Sequence, residues 1–323
     1  MIIMLGSPRS GTSWIAKIVD SHPDVLYRHE PDSLVRCPGL PFMPTKAQGE
    51  EFADLAGRYL DGLAKVRMPK SACSIPTFPK SFRGGMANSI HDALVYGVKS
   101  SQVMLRNRLR LGVPDLVTRG GPGRPRIAIK SVDSLGRAYA FSLAKPQAKI
   151  IHIIRHPGGY VASRKRGLEL KKLGAATFIE EMAEMEETKA MGWTEYDLQK
   201  MAFEEQLALH WAVLNERAYG QTAGQPNYLP LVYEDMCLNS QDLSRKLFAD
   251  LGLAWSDETE TFLNACLRKE SGGERYYQVV RNPLDSAFKW KSELDGPTID
   301  RVIAVASRSS IYQKCAAIWD QES

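Results

Sequence analysis

The stretch MIIMLGSPRSGTSW, residues 1–14, decides how the chain is expected to fold. Its first five residues form an uninterrupted apolar run, which predicts a strand covered on both faces, as in a parallel sheet. A helical pattern begins at residue 12 and ends at the sequence HPD (22–24). The residues between them, GSPRSG, form a short turn that leads from the strand into the helix N-terminus. Such a turn favours anion binding, because free N–H groups and the helix dipole face the ligand.

Three further apolar runs repeat this strand–helix order along the chain. They are RIAIK (126–130), KIIHII (149–154) and YLPLVYE (228–234), and a helical pattern follows each of them. Alternation of buried strands with helices predicts an α/β fold, here a doubly wound parallel sheet flanked by helices. Because no internal repeat or low-complexity tract divides the chain, we expect one domain over residues 1–323.

A large irregular insertion, residues 34–125, separates the first two units. Residues 50–66 within it predict one amphipathic helix, and residues 176–222, further along, predict two helices. The apolar face of the first of these helices carries Phe52, Leu55, Tyr59, Leu63 and Val66, and that of the last carries Leu207, Trp211, Leu214 and Ala218. We expect most of these side chains to lie in the core.

Composition restricts the class of protein. Lys and Arg number 42 against 37 Asp and Glu, and the net charge of +5 fits an acidic ligand but is too small to imply nucleic-acid binding. The five cysteines are scattered without a CxxC pair, which indicates reduced thiols rather than a disulfide framework or a zinc site. No run approaches the roughly 20 apolar residues of a membrane span, and no basic leader precedes a long apolar core. We therefore expect a cytoplasmic protein without a membrane span.

The turn after the first strand departs from the nucleotide-binding P-loop at one position. Compared with G-x-x-x-x-G-K-[ST], the chain supplies Gly6, Gly11 and Ser13, but Thr12 stands where the lysine belongs. That lysine reaches the β- and γ-phosphates of a nucleoside triphosphate, so its absence argues against an NTPase. A cation stands earlier in the loop instead, at Arg9. We favour anion binding over a plain capped turn, because a strand precedes the loop and a helix follows it.

A second candidate anion site is the sequence RHPGGYVAS (155–163). Arg155 comes directly after a predicted strand, at the carboxyl edge where open α/β sheets bind ligands. Ser163 follows about two helical turns into the next element. A guanidinium and a hydroxyl in this arrangement would clamp one further phosphate. For the arginine alone, a surface ion pair is the competing interpretation.

Taken in order, these two sites resemble the motifs of sulfotransferases that use 3′-phosphoadenosine 5′-phosphosulfate (PAPS). PRSGTSW (8–14) is similar to the family's P-R/K-S-G-T-[ST]-W loop for the 5′-phosphosulfate, and RHPGGYVAS to its 3′-phosphate segment, with the Arg-to-Ser gap intact. IAIKS (127–131) and LVYEDM (231–236) resemble two further segments of the family. The resemblance implies a P-loop-containing fold, PAPS as donor, 3′,5′-adenosine bisphosphate as product, and no metal.

A third segment, HPDVLYRHEP (22–31), is similar to the carbohydrate 6-O-sulfotransferase branch of that family. Cytosolic aryl sulfotransferases carry a catalytic histidine two residues after the strand lysine, and Val132 occupies that position here. The carbohydrate branch uses a carboxylate, and Glu30 stands at the matching place. The resemblance therefore implies Glu30 as the general base, with His29 as the second candidate.

The resemblance also implies roles for the other matched positions. Arg9 and Lys130 would stabilise the charge that grows on the leaving 5′-phosphate. The remaining implied donor contacts come from Ser10, Gly11, Thr12 and Ser13 at the 5′ side, from Trp14 and Tyr233 near the adenine, and from Arg155 and Ser163 at the 3′-phosphate. Lys289 and Lys291 are candidates for a basic loop over the cofactor, although the family's R-K-G triplet is missing there.

Two other functions compete with this interpretation. A P-loop kinase would explain the acidic end of YLPLVYED (228–235), but the loop lacks the kinase lysine. A catalytically silent nucleotide-binding module would bind the cofactor without turnover. Under the favoured interpretation, residues 34–125 form the site for a hydroxylated acceptor, sugar-containing or another small molecule, because they match no shared motif. Nucleic acid is not an expected partner, and the sequence leaves the oligomeric state open.

Overall fold

A computed structural model describes residues 1–104, 112–118, 124–170, 179–268 and 282–320. In this part of the chain, five strands form one parallel sheet in the order β2-β3-β1-β4-β5. The strands are β1 (Ile2–Gly6), β2 (Val25–His29), β3 (Arg126–Ser131), β4 (Lys149–Ile154) and β5 (Tyr228–Val232). The predicted α/β fold with a doubly wound parallel sheet is confirmed.

Two strand predictions need correction. Strand β2 was not predicted, because Arg28 and His29 interrupt its apolar run. The Arg28 guanidinium is nevertheless buried, since it donates to both carboxylate oxygens of Asp115 at 2.7 and 2.9 Å. The predicted strand 228–234 ends at residue 232, and helix α12 (Tyr233–Leu238) begins directly after it.

Helices cover both faces of the sheet. Besides α12, they are α1 (Thr12–Ser21), α2 (Lys46–Glu51), α3 (Ala53–Ala64), α4 (Pro69–Ala72), α5 (Gly84–Met104), α6 (Ala138–Ala144), α7 (Pro157–Glu169), α8 (Ile179–Ala183), α9 (Glu186–Ala190), α10 (Glu195–Lys200), α11 (Phe203–Thr222), α13 (Ser240–Leu251), α14 (Asp257–Leu267), α15 (Pro283–Phe288), α16 (Trp290–Glu293), α17 (Gly296–Ala306) and α18 (Ser310–Trp319). Among these described helices, none is long and apolar enough to cross a membrane.

Strand β1 connects the two halves of the core. Because side chains alternate across a strand, Ile2 and Met4 pack on one face with α1, α13 and α14, and Ile3 and Leu5 pack on the other with α3 and α6. All four side chains are fully buried. The strand that carries the candidate loop is thus held from both sides.

The helix predictions outside the strand–helix units are partly correct. The pattern at 50–66 forms two helices, α2 and α3, with Tyr59 and Leu63 buried against the sheet as expected. The first part of the insertion therefore belongs to the core. Between residues 179 and 222 the structure has four helices where two were predicted, and the last, α11, buries Leu207, Trp211 and Ala218. Residues 176–178 of that prediction lie outside the described residues.

Candidate active site

The loop after β1 requires both of its glycines. A Cβ on Gly6 would lie 2.7 Å from the Thr12 side chain and 2.8 Å from the backbone oxygen of Ile153. Gly11 has a φ of 75°, and a Cβ there would lie 2.1 Å from the ring of Tyr233. Side chains at these positions would therefore displace the loop from the sheet and from α12.

The N-terminus of α1 is open to an anion. Gly11 caps the helix without a side-chain hydrogen bond, and the first turn contains no acidic residue. Ser10 and Thr12 are buried, and the Ser10 hydroxyl lies 2.6 Å from that of Ser7. Ser13 is half-buried in the first turn. The backbone N–H groups of the first helical turn and the positive end of the helix dipole therefore lie together at this loop.

The structure brings the two predicted anion-binding sequences into direct contact. Arg9 Nε donates to Ser163 Oγ at 2.9 Å, and Arg155 Nη1 donates to the Arg9 carbonyl at 2.8 Å. Arg155 Nη2 donates to the Ser286 carbonyl at 2.6 Å, which ties α15 to the same point. Within the described ranges, the buried Nε of Arg155 has no hydrogen-bond partner. Two guanidinium groups and one hydroxyl thus meet at the carboxyl edge of β1 and β4.

Trp14 and Tyr233 lie beside this cluster. Their rings meet edge to face with centroids 6.2 Å apart, and the Arg155 guanidinium lies 5.2 Å from the Tyr233 ring centre. Trp14 is 6% exposed and Tyr233 2%, and both belong to the apolar core. The indole N–H of Trp14 is buried without a partner among the described residues. Both rings are therefore buried in this structure rather than exposed for stacking on adenine.

Lys289 and Lys291 lie where α15 meets α16. Lys289 Nζ is 3.8 Å from a carboxylate oxygen of Glu293, and Lys291 Nζ is 5.4 Å from the Phe288 ring centre. Between them, Trp290 stacks on His156 with ring centroids 4.2 Å apart. The two lysines are therefore close to the start of α7. Their predicted role over the cofactor stays a prediction.

A second charged centre lies at the carboxyl ends of β2 and β3. In the parallel register His29 pairs with Lys130, and the Glu30 N–H donates to the Lys130 carbonyl at 2.8 Å. Lys130 Nζ lies 2.5 Å from Glu30 Oε1. The lysine side chain is 2% exposed and that of Glu30 is 21% exposed, so solvent reaches the pair from the carboxylate side.

The ion pair and its burial change the pKa of both Lys130 and Glu30. Burial lowers the pKa of Lys130, and the carboxylate of Glu30 partly offsets that effect. Burial raises the pKa of Glu30, but the positive charge and hydrogen bond of Lys130 outweigh it, and the pKa lies below its ordinary value. Glu30 is therefore an anion at neutral pH. Arg9 is near enough to lower the pKa of Lys130, so the two charged centres share one electrostatic environment.

Glu30 is held in an unfavourable backbone conformation. Its φ of 43° lies in the left-handed region, which costs a non-glycine residue of the order of 1–3 kcal/mol. The turn that follows is fastened to β3, because the Asp32 carboxylate accepts hydrogen bonds from Ser131 Oγ and Ser134 Oγ. Ser33 Oγ also donates to the Glu30 carbonyl at 2.8 Å. These bonds hold the carboxylate against Lys130.

Asp32, Ser131 and Ser134 were not among the predicted site residues. Asp32 is 2% exposed, and one of its carboxylate oxygens has no hydrogen-bond partner among the described residues. The only signals in the sequence are its position two residues after Glu30 and the position of Ser131 next to Lys130. Neither shows that the two segments meet, since 99 residues separate Asp32 from Ser131.

His29 is a weaker candidate base than its position suggests. Its Nδ1 lies 2.9 Å from the Tyr27 hydroxyl, and its Nε2 is 4.0 Å from the Glu30 carboxylate. Burial, together with the charge of Lys130, lowers its pKa to about 3. At pH 7 the imidazole is therefore neutral, and its low pKa means that it has little affinity for a proton from the acceptor.

A cavity of about 470 Å³ opens near this second centre. Its walls are mainly apolar and come from residues 36–42 and from Arg137. The Arg36 guanidinium lies 3.8 Å from the Asp133 carboxylate, just beyond β3, and Arg137 approaches Ser134 Oγ at 3.4 Å. Cavities of about 300–1,000 Å³ are typical of small-molecule sites. This one lies at the start of the insertion.

No metal site is evident in the ranges that the structure describes. There, no three His, Cys, Asp or Glu side chains lie close enough together to hold an ion. None of the five cysteines, all of which lie within the described residues, forms a disulfide.

Comparison with known proteins identifies a family. Residues 2–257 match the sequence profile described as Sulfotransferase family. Similar solved structures include the sulfotransferase domain from the Synechococcus PCC 7002 olefin synthase, with 16% identity and a TM-score of 0.43 over 95% of this chain and 94% of that one. Another is the sulfotransferase domain from the curacin biosynthetic pathway, with 15% identity and a TM-score of 0.44 over 95% and 97%. Sulfotransferase STF9 from Mycobacterium avium has 15% identity and a TM-score of 0.41 over 94% and 74%. No curated protein matches the chain.

Proposed function

The chain belongs to the sulfotransferase family, and we propose that it moves a sulfuryl group from PAPS to a hydroxyl of a sugar-containing acceptor. The observation that carries this proposal is the contact between Lys130 and Glu30 beside a phosphate-type loop that lacks the P-loop lysine. A kinase needs that lysine at the β- and γ-phosphates, whereas PAPS has a single bridging oxygen at which charge develops.

The leaving group would be stabilised from two sides. As the sulfur–oxygen bond to the 5′-phosphate breaks, negative charge grows on the phosphate oxygen. In our assignment, three groups would stabilise that charge: the N–H groups at the start of α1, the Arg9 guanidinium and the Lys130 ammonium. Preorganised charge of this kind is commonly the largest contribution to group transfer.

The 3′-phosphate would bind to Arg155 and Ser163, both of which contact Arg9 in this structure. In the present structure these groups bond to each other and to backbone carbonyls. A phosphate would replace the Arg9–Ser163 hydrogen bond with charge-assisted bonds, which are roughly twice as strong as neutral ones. The open hydrogen-bonding capacity of Arg155 Nε supports this assignment.

The acceptor hydroxyl would lose its proton to Glu30. Its oxygen forms the new bond to sulfur, the bond to the bisphosphate breaks, and the proton moves to the Glu30 carboxylate. The ion pair with Lys130 lowers the basicity of Glu30. When Lys130 turns toward the donor, that effect weakens, so Glu30 becomes a better base once PAPS is bound.

The acceptor site would be the cavity at residues 36–42. The cavity lies close in sequence to Glu30, the proposed general base, since the turn after Glu30 leads directly into residues 36–42. The similarity of residues 22–31 to the carbohydrate branch supports a sugar-containing acceptor. The free thiols support a cytoplasmic location, where cysteines stay reduced.

Thermal stabilisation by nucleotides tests the donor assignment. We expect 3′,5′-adenosine bisphosphate to raise the Tm strongly, since a ligand at a hundredfold excess over its Kd contributes about 2.7 kcal/mol. 5′-AMP should raise it much less, because the 3′-phosphate cluster stays empty. Equal shifts from AMP and the bisphosphate would refute the 3′ assignment, and a larger shift from ATP with Mg²⁺ would favour a kinase.

Sulfuryl transfer must be measured as well, because a catalytically silent nucleotide-binding module would also bind the bisphosphate. The assay follows the label from ³⁵S-PAPS onto a panel of sugars and simple alcohols. Bisphosphate binding without transfer to any acceptor, and without PAPS breakdown, would favour the module that binds but does not react.

A further inference from the structure

A separate, polar cavity lies beside strand β2. We call it the β2 cavity; its volume is about 30 Å³. One water needs about 10–15 Å³ of such space, so the cavity has room for two waters or one small ion. Its charged and ionisable lining residues are Asp20, Arg28, Lys80, Arg83, His91 and Asp115. Each of them is 9% exposed or less.

The charges around the β2 cavity do not balance. Three cations and two carboxylates line it, and a further buried cation, Lys17, donates to Asp20 at 2.7 Å. The buried basic side chains therefore outnumber the carboxylates by four to two, although burial lowers the pKa of both lysines. Outside the cavity, Arg67 (side chain 59% exposed) bonds to Asp115, and Asp92 (41% exposed) lies near His91. Uncompensated charge in a protein interior is strongly destabilising.

Both carboxylates already bind two cations each. Asp20 accepts from Lys17 on one oxygen and from Lys80 on the other, at 2.7 and 3.1 Å. Both oxygens of Asp115 accept from Arg28, and one of them also accepts from Arg67. Arg83 reaches only the backbone carbonyl of Asp115, through Nε at 2.8 Å.

Arg83 and His91 therefore present unused hydrogen-bonding capacity to the cavity. Among the described residues, the structure shows no hydrogen bond from the two terminal nitrogens of Arg83, and the buried His91 Nδ1 makes no hydrogen bond, with an Asp92 carboxylate oxygen 3.8 Å away. Burial lowers the pKa of Arg83 to about 10, which still leaves it charged at pH 7. Burial and the charge of Arg83 lower the pKa of His91 to about 4, so that ring adds no charge of its own.

We propose that the β2 cavity binds a small inorganic anion such as chloride. The excess of buried positive charge supplies the attraction, and the terminal nitrogens of Arg83 supply the donors. An occupant would hold the insertion against the edge of the sheet, because Arg83 and His91 belong to the insertion while Arg28 and Asp20 belong to the core. This site is independent of sulfuryl transfer.

The Tm in chloride tests the proposal, with gluconate as the reference anion at constant ionic strength. For the wild-type protein we expect a saturable rise of about 2–4 °C as chloride replaces gluconate. Arg83→Met should abolish the rise. Arg67→Met is the matched control, since it also removes a bond to Asp115 but changes a largely exposed side chain that does not line the cavity. The control should keep the full rise.

Crystals of the wild-type protein soaked in bromide give a second readout that does not depend on any variant. Bromide in the β2 cavity would give an anomalous peak near the Arg83 terminal nitrogens. Ordered water there without an anomalous peak would overturn the proposal, and so would a chloride-dependent rise that is the same in wild type and Arg83→Met. If Arg83→Met does not fold, the bromide crystals alone decide.

Discussion

The two charged centres at the carboxyl edge of the sheet are built differently. At β1 and β4, Arg9, Arg155 and Ser163 contact each other and backbone carbonyls, so two guanidinium groups lie together. At β2 and β3, Lys130 is paired directly with Glu30. The first arrangement suits a ligand that brings negative charge, and the second suits proton transfer. The difference predicts separate effects on binding and turnover.

The largest expected effect is on turnover, from Glu30→Gln. This change keeps the shape of the side chain but removes the base, and a positioned base typically contributes 10² to 10⁴-fold. We expect kcat to fall by about that factor while the Kd of the bisphosphate stays within about twofold of the wild type. Steady-state transfer from PAPS and calorimetric binding measure the two quantities.

His29→Gln is the matched control for this variant. The neutral histidine with a pKa of about 3 should contribute little as a base. If Glu30→Gln keeps near-normal turnover while His29→Gln loses it, the histidine is the base. The Glu30–Lys130 pair would then have no role in proton transfer.

Arg9→Ala should lower both kcat and bisphosphate affinity, with the larger effect on kcat. The charge that Arg9 faces grows in the transition state, and loss of one such stabilising group typically costs about 10² to 10³-fold in kcat. Because Arg9 also bonds to Ser163, some loss of bisphosphate affinity should accompany it. Normal kcat at saturating PAPS would contradict the role at the leaving group. Ser163→Ala separates the two effects, since it leaves Arg9 in place and should therefore weaken bisphosphate binding with little change in kcat.

Arg155→Ala should give the smallest effect, and it should fall on binding. A hydrogen bond to a charged group contributes about 1.5–3 kcal/mol, which corresponds to a loss of affinity of about tenfold to hundredfold. kcat at saturating PAPS should change much less. Because Arg155 also holds α15 through Ser286, the Tm of the unliganded variant must be measured alongside.

Arg166→Ala serves as a control for Arg155→Ala. It removes an arginine from the same region whose partner, Glu293, lies at the surface. If both variants weaken bisphosphate binding equally, the effect of Arg155 is a general electrostatic one and not a contact with the 3′-phosphate.

Much of the fold could be predicted because its signals are local. The apolar runs of β1, β3 and β4 and the helix of α1 each depend on neighbouring residues. Strand β2 escaped prediction because its Arg28 is buried by a partner 87 residues away. Helices α2 and α3 were predicted as one, since both apolar faces follow the same period and only the break at Phe52 divides them.

By itself the sequence determined the strand–turn–helix unit at residues 1–21. Gly11 adopts the left-handed φ of 75° that the turn requires, and the missing lysine at Thr12 is a property of the chain alone. These features depend on bonds and contacts within a few residues, so the order of amino acids is sufficient to predict them.

Only the tertiary structure decided which charges face each other. The order β2-β3-β1-β4-β5 brings Glu30 to Lys130, Arg9 to Ser163, and Asp32 to Ser131. It also leaves the positive charge around the β2 cavity without an equal number of carboxylates. A pKa depends on burial and on charges a few ångströms away in space. Those distances exist only after segments about 100 residues apart have paired in the sheet.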